Sequence, residues 1–163
     1  MVNNIYSEQM TLIPPPYRYI IDTCSILSQK ADEPHRRSVY STLWQNIDEL
    51  VKSSEIVICS EVKDEVEDET LKPWIQQCTV LDVDAGIQQN VVRIVNEHPE
   101  LLSFTNMKSS GDAFLIATAM KYRIAVITEE NKDSPKKIPK ICAAYNIPCI
   151  NVTELAEKEG WSF

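Results

Sequence analysis

The sequence predicts an α/β fold, a central parallel sheet with helices on both faces. Three observations carry that prediction. Short runs that are almost wholly apolar and rich in β-branched residues recur along the chain: "YIIDT" (19–23), "EIVICS" (55–60), "RIAVIT" (123–128) and "IPCINV" (147–152). Between them lie segments whose apolar residues keep a 3.6-residue period. Strands that are apolar throughout, rather than alternating, belong to parallel sheets covered on both faces. Right-handed crossovers then bring the carboxyl ends of the strands to one edge.

Taken in order, residues 1–16 end in "LIPPP" and read as an extended segment ahead of a single domain over 17–163. The first strand spans about 19–23, and the polar stretch "SQKADEPHRR" follows. A helix is expected over 38–53, with Val39, Leu43, Ile47, Leu50 and Val51 on one face and Trp44 at its edge. The second strand, 55–60, leads into a helix over "EVKDEVEDE" with Ser60 as N-cap and Glu61 near the positive end. Pro73 in "KPWIQQ" is expected to break it. Ile87, Val91, Ile94 and Val95 define a longer helix over 84–97, with Pro99 just beyond.

"TNMKSSG" (105–111) reads as a loop and "DAFLIATAMKY" (112–122) as a nearly all-apolar helix opened by an acid. The strand 123–128 ends on Glu129 and Glu130, and the basic loop "NKDSPKK" comes next. "IPKICAAYN" predicts a short helix with Pro139 in its first turn. After the last strand, "TELAEKEG" predicts a closing helix with Thr153 as N-cap.

At 163 residues the chain suits one domain with a substantial core. No apolar run approaches the ~20 residues of a membrane-spanning helix. The N-terminus lacks the basic and apolar parts of a secretory leader, which points to the cytoplasm. Five scattered cysteines without a CxxC pair, and the distant His35 and His98, give no zinc spacing. The cysteines read as small core residues in a reducing compartment. A net charge of -8 argues against a non-specific nucleic-acid coat. It leaves room for an enzyme that meets nucleic acid through bound cations.

The acids have a pattern. Asp22 and the pair Glu129/Glu130 follow strands directly, Asp112 opens a helix, and Glu65 lies early in the helix leaving the second strand. Four chain segments can thus deliver carboxylates to the carboxyl edge, where open α/β sheets place their ligand sites. Grouped carboxylates repel one another and stay charged together only if cations neutralise them. Hard oxygen donors select Mg²⁺ or Mn²⁺, which suits phosphodiester hydrolysis.

"IIDTCSI", "SEVKDEVE", "SGDAFLIATAM" and "AVITEEN" stand in the order and rough separation of the PIN-domain ribonucleases. The chain resembles most the VapC-type toxins of bacterial and archaeal toxin–antitoxin pairs, from about residue 18 onward. The resemblance implies a PIN-like domain and a metal-dependent endoribonuclease acting on RNA, with tRNA a possible substrate. It implies a cognate antitoxin partner that occludes the site, often with a basic side chain, and a homodimer. Residue by residue, its four acids fall on Asp22, Glu65, Asp112 and Glu130, as catalytic groups and metal ligands. Glu65 completes the "V-x-x-E" pattern better than Glu61. Glu130 stands where the family usually has Asp, so Glu129 or Glu130 fills the fourth place. On this reading Thr23 and Thr128 set hydroxyls beside metal or phosphate, while Lys132, Lys136, Lys137 and Lys140 form a basic patch for the RNA backbone.

The bland readings are caps for Asp22 and Asp112 and a solvated face for Glu65. The alternative function is a non-catalytic PIN-like binding or regulatory module. A haloacid-dehalogenase-type phosphatase would need an acid at position 24, which is Cys24. A receiver domain would need an acidic pair and a partner lysine that are not seen.

Overall fold

The computed structural model describes residues 14–101, 110–132 and 138–163. Five parallel strands, β1 (Tyr19–Ile21), β2 (Ile56–Cys59), β3 (Thr79–Leu81), β4 (Ala125–Ile127) and β5 (Cys149–Ile150), form one sheet in the order β3-β2-β1-β4-β5. Tyr19, Ile20 and Ile21 are all buried. Successive strand residues point to opposite faces, so the sheet is covered on both sides. The fold is thus α/β with a central parallel sheet, as the apolar strands imply.

Eight helices among the described residues surround it: α1 (Thr23–Leu27), α2 (Ser41–Lys52), α3 (Ser60–Glu65), α4 (Lys72–Gln77), α5 (Ala85–Glu97), α6 (Ser110–Tyr122), α7 (Ile138–Ala144) and α8 (Val152–Glu159). A 3₁₀ turn, Pro99–Leu101, follows α5. The all-apolar α6 packs on β1, β2, β4 and α5, which explains why it shows no polar face. None of the described helices is long and apolar enough to cross a membrane.

The connectivity positions the site. From β1 the chain steps outward to β2 and β3, then crosses back to β4 on the other flank of β1. The order therefore reverses between β1 and β4, and such a switch point opens a crevice at the carboxyl ends. Asp22 leaves β1 there and Thr128 leaves β4. The Asp22 N–H donates to the Ile127 carbonyl at 2.9 Å, carrying the pairing one residue past β1.

Several local expectations are corrected. The chain turns into α1 immediately after β1, with Asp22 as its N-cap, so Thr23 opens a helix where it was expected to end the strand. Cys59, not Ser60, is the N-cap of α3, and the Ser60 hydroxyl donates to Glu61. That helix stops at Glu65 because Val66 turns extended and buries its side chain. Pro73 does not merely break a helix; it sits in the first turn of α4, where its missing N–H costs nothing. The short edge strand β3 was not anticipated at all. Trp44 lies fully inside, not at the edge, with its indole N–H on the His35 carbonyl at 2.5 Å. Lys136 and Lys137, most of the basic loop, and residues 1–13 lie outside the described residues.

Thr153 is not the cap of α8. Asn151 is, within a reciprocal capping box: its Oδ1 accepts from the Glu154 N–H at 2.8 Å, and Glu154 Oε1 accepts from the Asn151 N–H at 3.2 Å. Asn151→Ala is expected to cost about 1 kcal/mol, roughly 2–4 °C of melting temperature at this size. Thr153→Ala should leave the melt almost unchanged, and equal losses in thermal denaturation would contradict this cap assignment.

Candidate functional site

Asp22 is the centre of the arrangement. It is buried, at 5% exposure, and both of its oxygens are engaged by neighbouring donors. Its Oδ1 accepts from the Thr23 N–H at 2.8 Å. Its Oδ2 accepts from the Thr128 hydroxyl and the Cys24 thiol, each at 2.9 Å. Burial raises the Asp22 pKa, the Cys24 and Thr128 hydrogen bonds hold it down in part, and the nearby charge of Glu130 raises it further. Burial pushes the Cys24 thiol up to about 12, with the Asp22 charge adding to it, so at neutral pH it stays protonated and donates.

Thr23 joins the first acid to the second. Its hydroxyl donates to Glu65 Oε2 at 2.6 Å, and its N–H holds Asp22. Glu65 is the last residue of α3, and its exposed carboxylate lies on the rim of the pocket. Glu61 instead accepts from Ser60 at 2.9 Å. Across from Glu65 stands Gly111 in the first turn of α6, and a Cβ there would run into Glu65 Oε1. Asp112 follows directly. Thr23, Asp64, Glu65, Glu67 and Asp112 line one open pocket of about 450 Å³.

The acids after β4 take a different part. Glu130 Oε2 accepts from the Ile138 N–H, the first of α7, at 2.9 Å. Glu129 Oε1 accepts from the Val152 N–H, the first of α8, at 2.8 Å. Both therefore serve helix starts, and Glu130 is the one whose charge reaches Asp22. Its N–H also donates to the Thr128 hydroxyl at 3.2 Å. Thr128 is only 2% exposed and its hydroxyl is committed to Asp22, so it orients that acid instead of lining a surface. Lys132 pairs with Glu154 at 2.5 Å, drawing it towards α8.

The structure thus brings Asp22, Thr23, Glu65 and Asp112 to one edge, with Glu130 behind Asp22 through Thr128. Among the described residues, no three histidine, cysteine or carboxylate side chains are grouped closely enough to hold a metal ion. Two positions escape sequence reasoning. Cys24, read as core filler, is a hydrogen-bond donor to Asp22. Gly111, inside the quoted "SGDAF", leaves the space that Glu65 occupies. No sequence signal marks it, because 105–111 reads as a loop and the helix begins at Ser110 instead.

A family model described as "Domain of unknown function (DUF4411)" matches residues 19–163. No curated protein matches the chain. Solved structures similar to it include two that follow. PAE2754 from Pyrobaculum aerophilum is 15% identical with a TM-score of 0.51, over 89% of this chain and 90% of that one. FitAcB from Neisseria gonorrhoeae is 13% identical with a TM-score of 0.53, over 83% of this chain and 98% of that one. At these identities the likeness speaks for the fold alone.

Proposed function

Because this chain belongs to the DUF4411 family, whose description assigns no activity, we propose its function from the site: a Mg²⁺- or Mn²⁺-dependent endoribonuclease. The observation that carries the reading is the chain Asp22–Thr23–Glu65 at the β1/β4 switch point, with Asp112 on the same pocket. Nothing in the packing of the sheet requires carboxylates from β1, α3 and α6 to meet there. The motif order read in the sequence supports RNA as substrate, tRNA being one candidate.

The donor set suits such a cation. Carboxylate and hydroxyl oxygens are hard donors, and Mg²⁺ commonly takes one or two carboxylates, keeping several waters and substrate phosphate in its shell. A group of three protein ligands is therefore not needed. Glu65 and Asp112, which share the pocket, would hold the ion, with Asp22 and Glu130 reaching it through Thr23, Thr128 or water. When bound, the cation offsets charge on the phosphoryl oxygens and activates water. Thr128 and Cys24 hold Asp22 Oδ2 in place, and Thr23 sets the distance between Asp22 and Glu65. An arrangement fixed in advance is what lowers the cost of reaching the transition state.

On the same reading the protein is a VapC-like toxin and a homodimer, whose antitoxin sets a basic group among the acids. Five free cysteines accord with a cytoplasmic setting. A non-catalytic PIN-like module is favoured by one observation, the service of Glu129 and Glu130 to helix starts. Incubation of single-stranded RNA or tRNA with the full chain separates the two. Cleavage is expected with Mg²⁺ or Mn²⁺ and is expected to vanish in EDTA. Cleavage that survives EDTA would sink the metal mechanism, and no cleavage of any RNA would favour the binding module.

A further inference from the structure

A cavity of about 440 Å³ lies at the edge of the sheet opposite the acids. Ile124 and Pro148, which line it, stand just before β4 and β5, whereas Asp22 and Thr128 follow their strands. Arg93 of α5, Arg123, Tyr145 and Asn146 supply its polar groups. The two cavities are opposite in charge. Asp64, Glu65, Glu67 and Asp112 line the acidic pocket with no cation among its described residues, while Arg93 and Arg123 line this one with no carboxylate. In a chain with 24 acidic and 16 basic residues, such a spot is the exception.

The two arginines are held differently. Arg93 is fixed: its Nε–H donates to Glu97 Oε1 at 2.9 Å, and its guanidinium lies over the Tyr145 ring, 5.1 Å from the centroid. The Tyr145 hydroxyl donates to Glu97 Oε2 at 2.9 Å and closes the triangle. That arrangement engages only the Nε side of the fork, and the terminal nitrogens have no hydrogen-bond partner among the described residues. The Arg123 side chain has neither a hydrogen bond nor an ion pair among the described residues. Both arginines are exposed, so these donors are open to a ligand.

The backbone sharpens the case for Arg123. It follows α6 with φ 54°, and Asn146 follows α7 with φ 57°, both in the left-handed region where glycine is usual. The turns need only that conformation: the Ile124 N–H donates to the Ala119 carbonyl at 3.2 Å, and the Ile147 N–H to the Cys142 carbonyl at 2.9 Å. Glycine would close either helix with less strain, so the turn does not explain an arginine at 123. The negative end of α6 favours a cation there, but it amounts to about half a charge and leaves the guanidinium largely uncompensated.

We propose that this cavity is a phosphate-binding site. Glu97 offsets the charge of Arg93, which supplies directed donors, and Arg123 supplies the net positive charge. One guanidinium fork satisfies a carboxylate, whereas a tetrahedral phosphate presents oxygens to two. The cavity has room for more than a phosphate, and Met120, Ile147 and Pro148 give the remainder an apolar wall, so the ligand is an organic phosphate whose body packs there. The site stands apart from the acids and needs no cleavage at them.

The test is isothermal titration of the full chain, in EDTA, with ribose 5-phosphate and with ribose. Ribose 5-phosphate is expected to bind at least about tenfold more tightly. Arg123→Gly suits the left-handed turn and removes the charge. It is expected to lose that preference while melting no lower than the wild type in the absence of ligand. Arg93→Gln is expected to weaken ribose 5-phosphate by about tenfold. Equal binding of the two sugars, binding of neither, or a preference retained in both folded variants would each overturn the site. The wild-type comparison decides the matter whatever the stability of the variants. Competition then separates the sources of the phosphate: a short single-stranded RNA that displaces ribose 5-phosphate makes the RNA backbone the ligand, and no displacement makes it a small organic phosphate.

Discussion

Asp22→Asn is expected to lower RNA cleavage by at least about 10²-fold while leaving the metal-free protein as stable as the wild type or more so. The two effects have one origin. Burial raises the Asp22 pKa, so the folded state holds the charged form at a disadvantage. A carboxyl group whose folded pKa exceeds its unfolded one binds more protons in the native state, so stability falls as pH rises through that window. Asparagine keeps the shape and the Thr23 hydrogen bond without the charge. Its melting temperature in EDTA should therefore exceed the wild type's near neutral pH. The gap should narrow as pH falls towards the ordinary carboxylate value of about 4, where the unfolded chain begins to bind the proton as well. Mg²⁺ should raise the wild-type melt and leave the variant's unmoved, because only a site that binds the ion gains stability from it. Thermal melts from about pH 4 to 8, with and without Mg²⁺, check both halves. A variant that melts lower at every pH, by a constant amount, would make Asp22 a structural cap and nothing more.

The contrast between strands and connections shows what the sequence can carry. β1, β2 and β4 were legible because parallel strands buried on two faces leave an unbroken β-branched signature. β3 was not, because Thr79–Leu81 is three residues long at the sheet edge and Thr79 and Val80 are only half-buried. α1 was missed because "CSIL" continues the apolar character of the strand before it; only the Asp22 cap marks the change of period. Asn151 and Thr153 are both good caps by type, and the choice falls on Asn151 because Glu154 lies three residues on and can reciprocate.

The site divides in the same way. Asp22 and Asp112 were legible from their places at a strand end and a helix start, which local pattern records. What binds them together was not, since it joins distant segments: Thr23 with Glu65, Thr128 with Asp22, Cys24 with Glu129. Sequence spacing cannot say that a thiol read as core filler will point at a carboxylate. Those relations come from the sheet order, which sets α1 and α3 side by side after β1 and β2.

Gly111→Ala is expected to separate activity from stability in the opposite sense to an ordinary site mutation. Gly111 lies in the first turn of α6 and is not among the residues with positive φ, so alanine suits its backbone. Such a replacement normally stabilises by ~0.4–1 kcal/mol through the unfolded chain. Here the added Cβ would collide with Glu65 Oε1 and stand 3.2 Å from its Cδ. The obstacle is the end of a flexible side chain, so the fold gives way cheaply. Glu65 must swing aside, and the Thr23–Glu65 hydrogen bond at 2.6 Å goes with it. Displacing one cation-facing carboxylate is expected to cost about 10–10²-fold in cleavage, with the melting temperature unchanged or raised by ~1–4 °C. Initial rates at saturating Mg²⁺ and a thermal melt on the same preparation are enough to read both. Full activity at an undiminished melting temperature would show that the position of Glu65 does not matter, and the acid would then belong to the solvated face of α3.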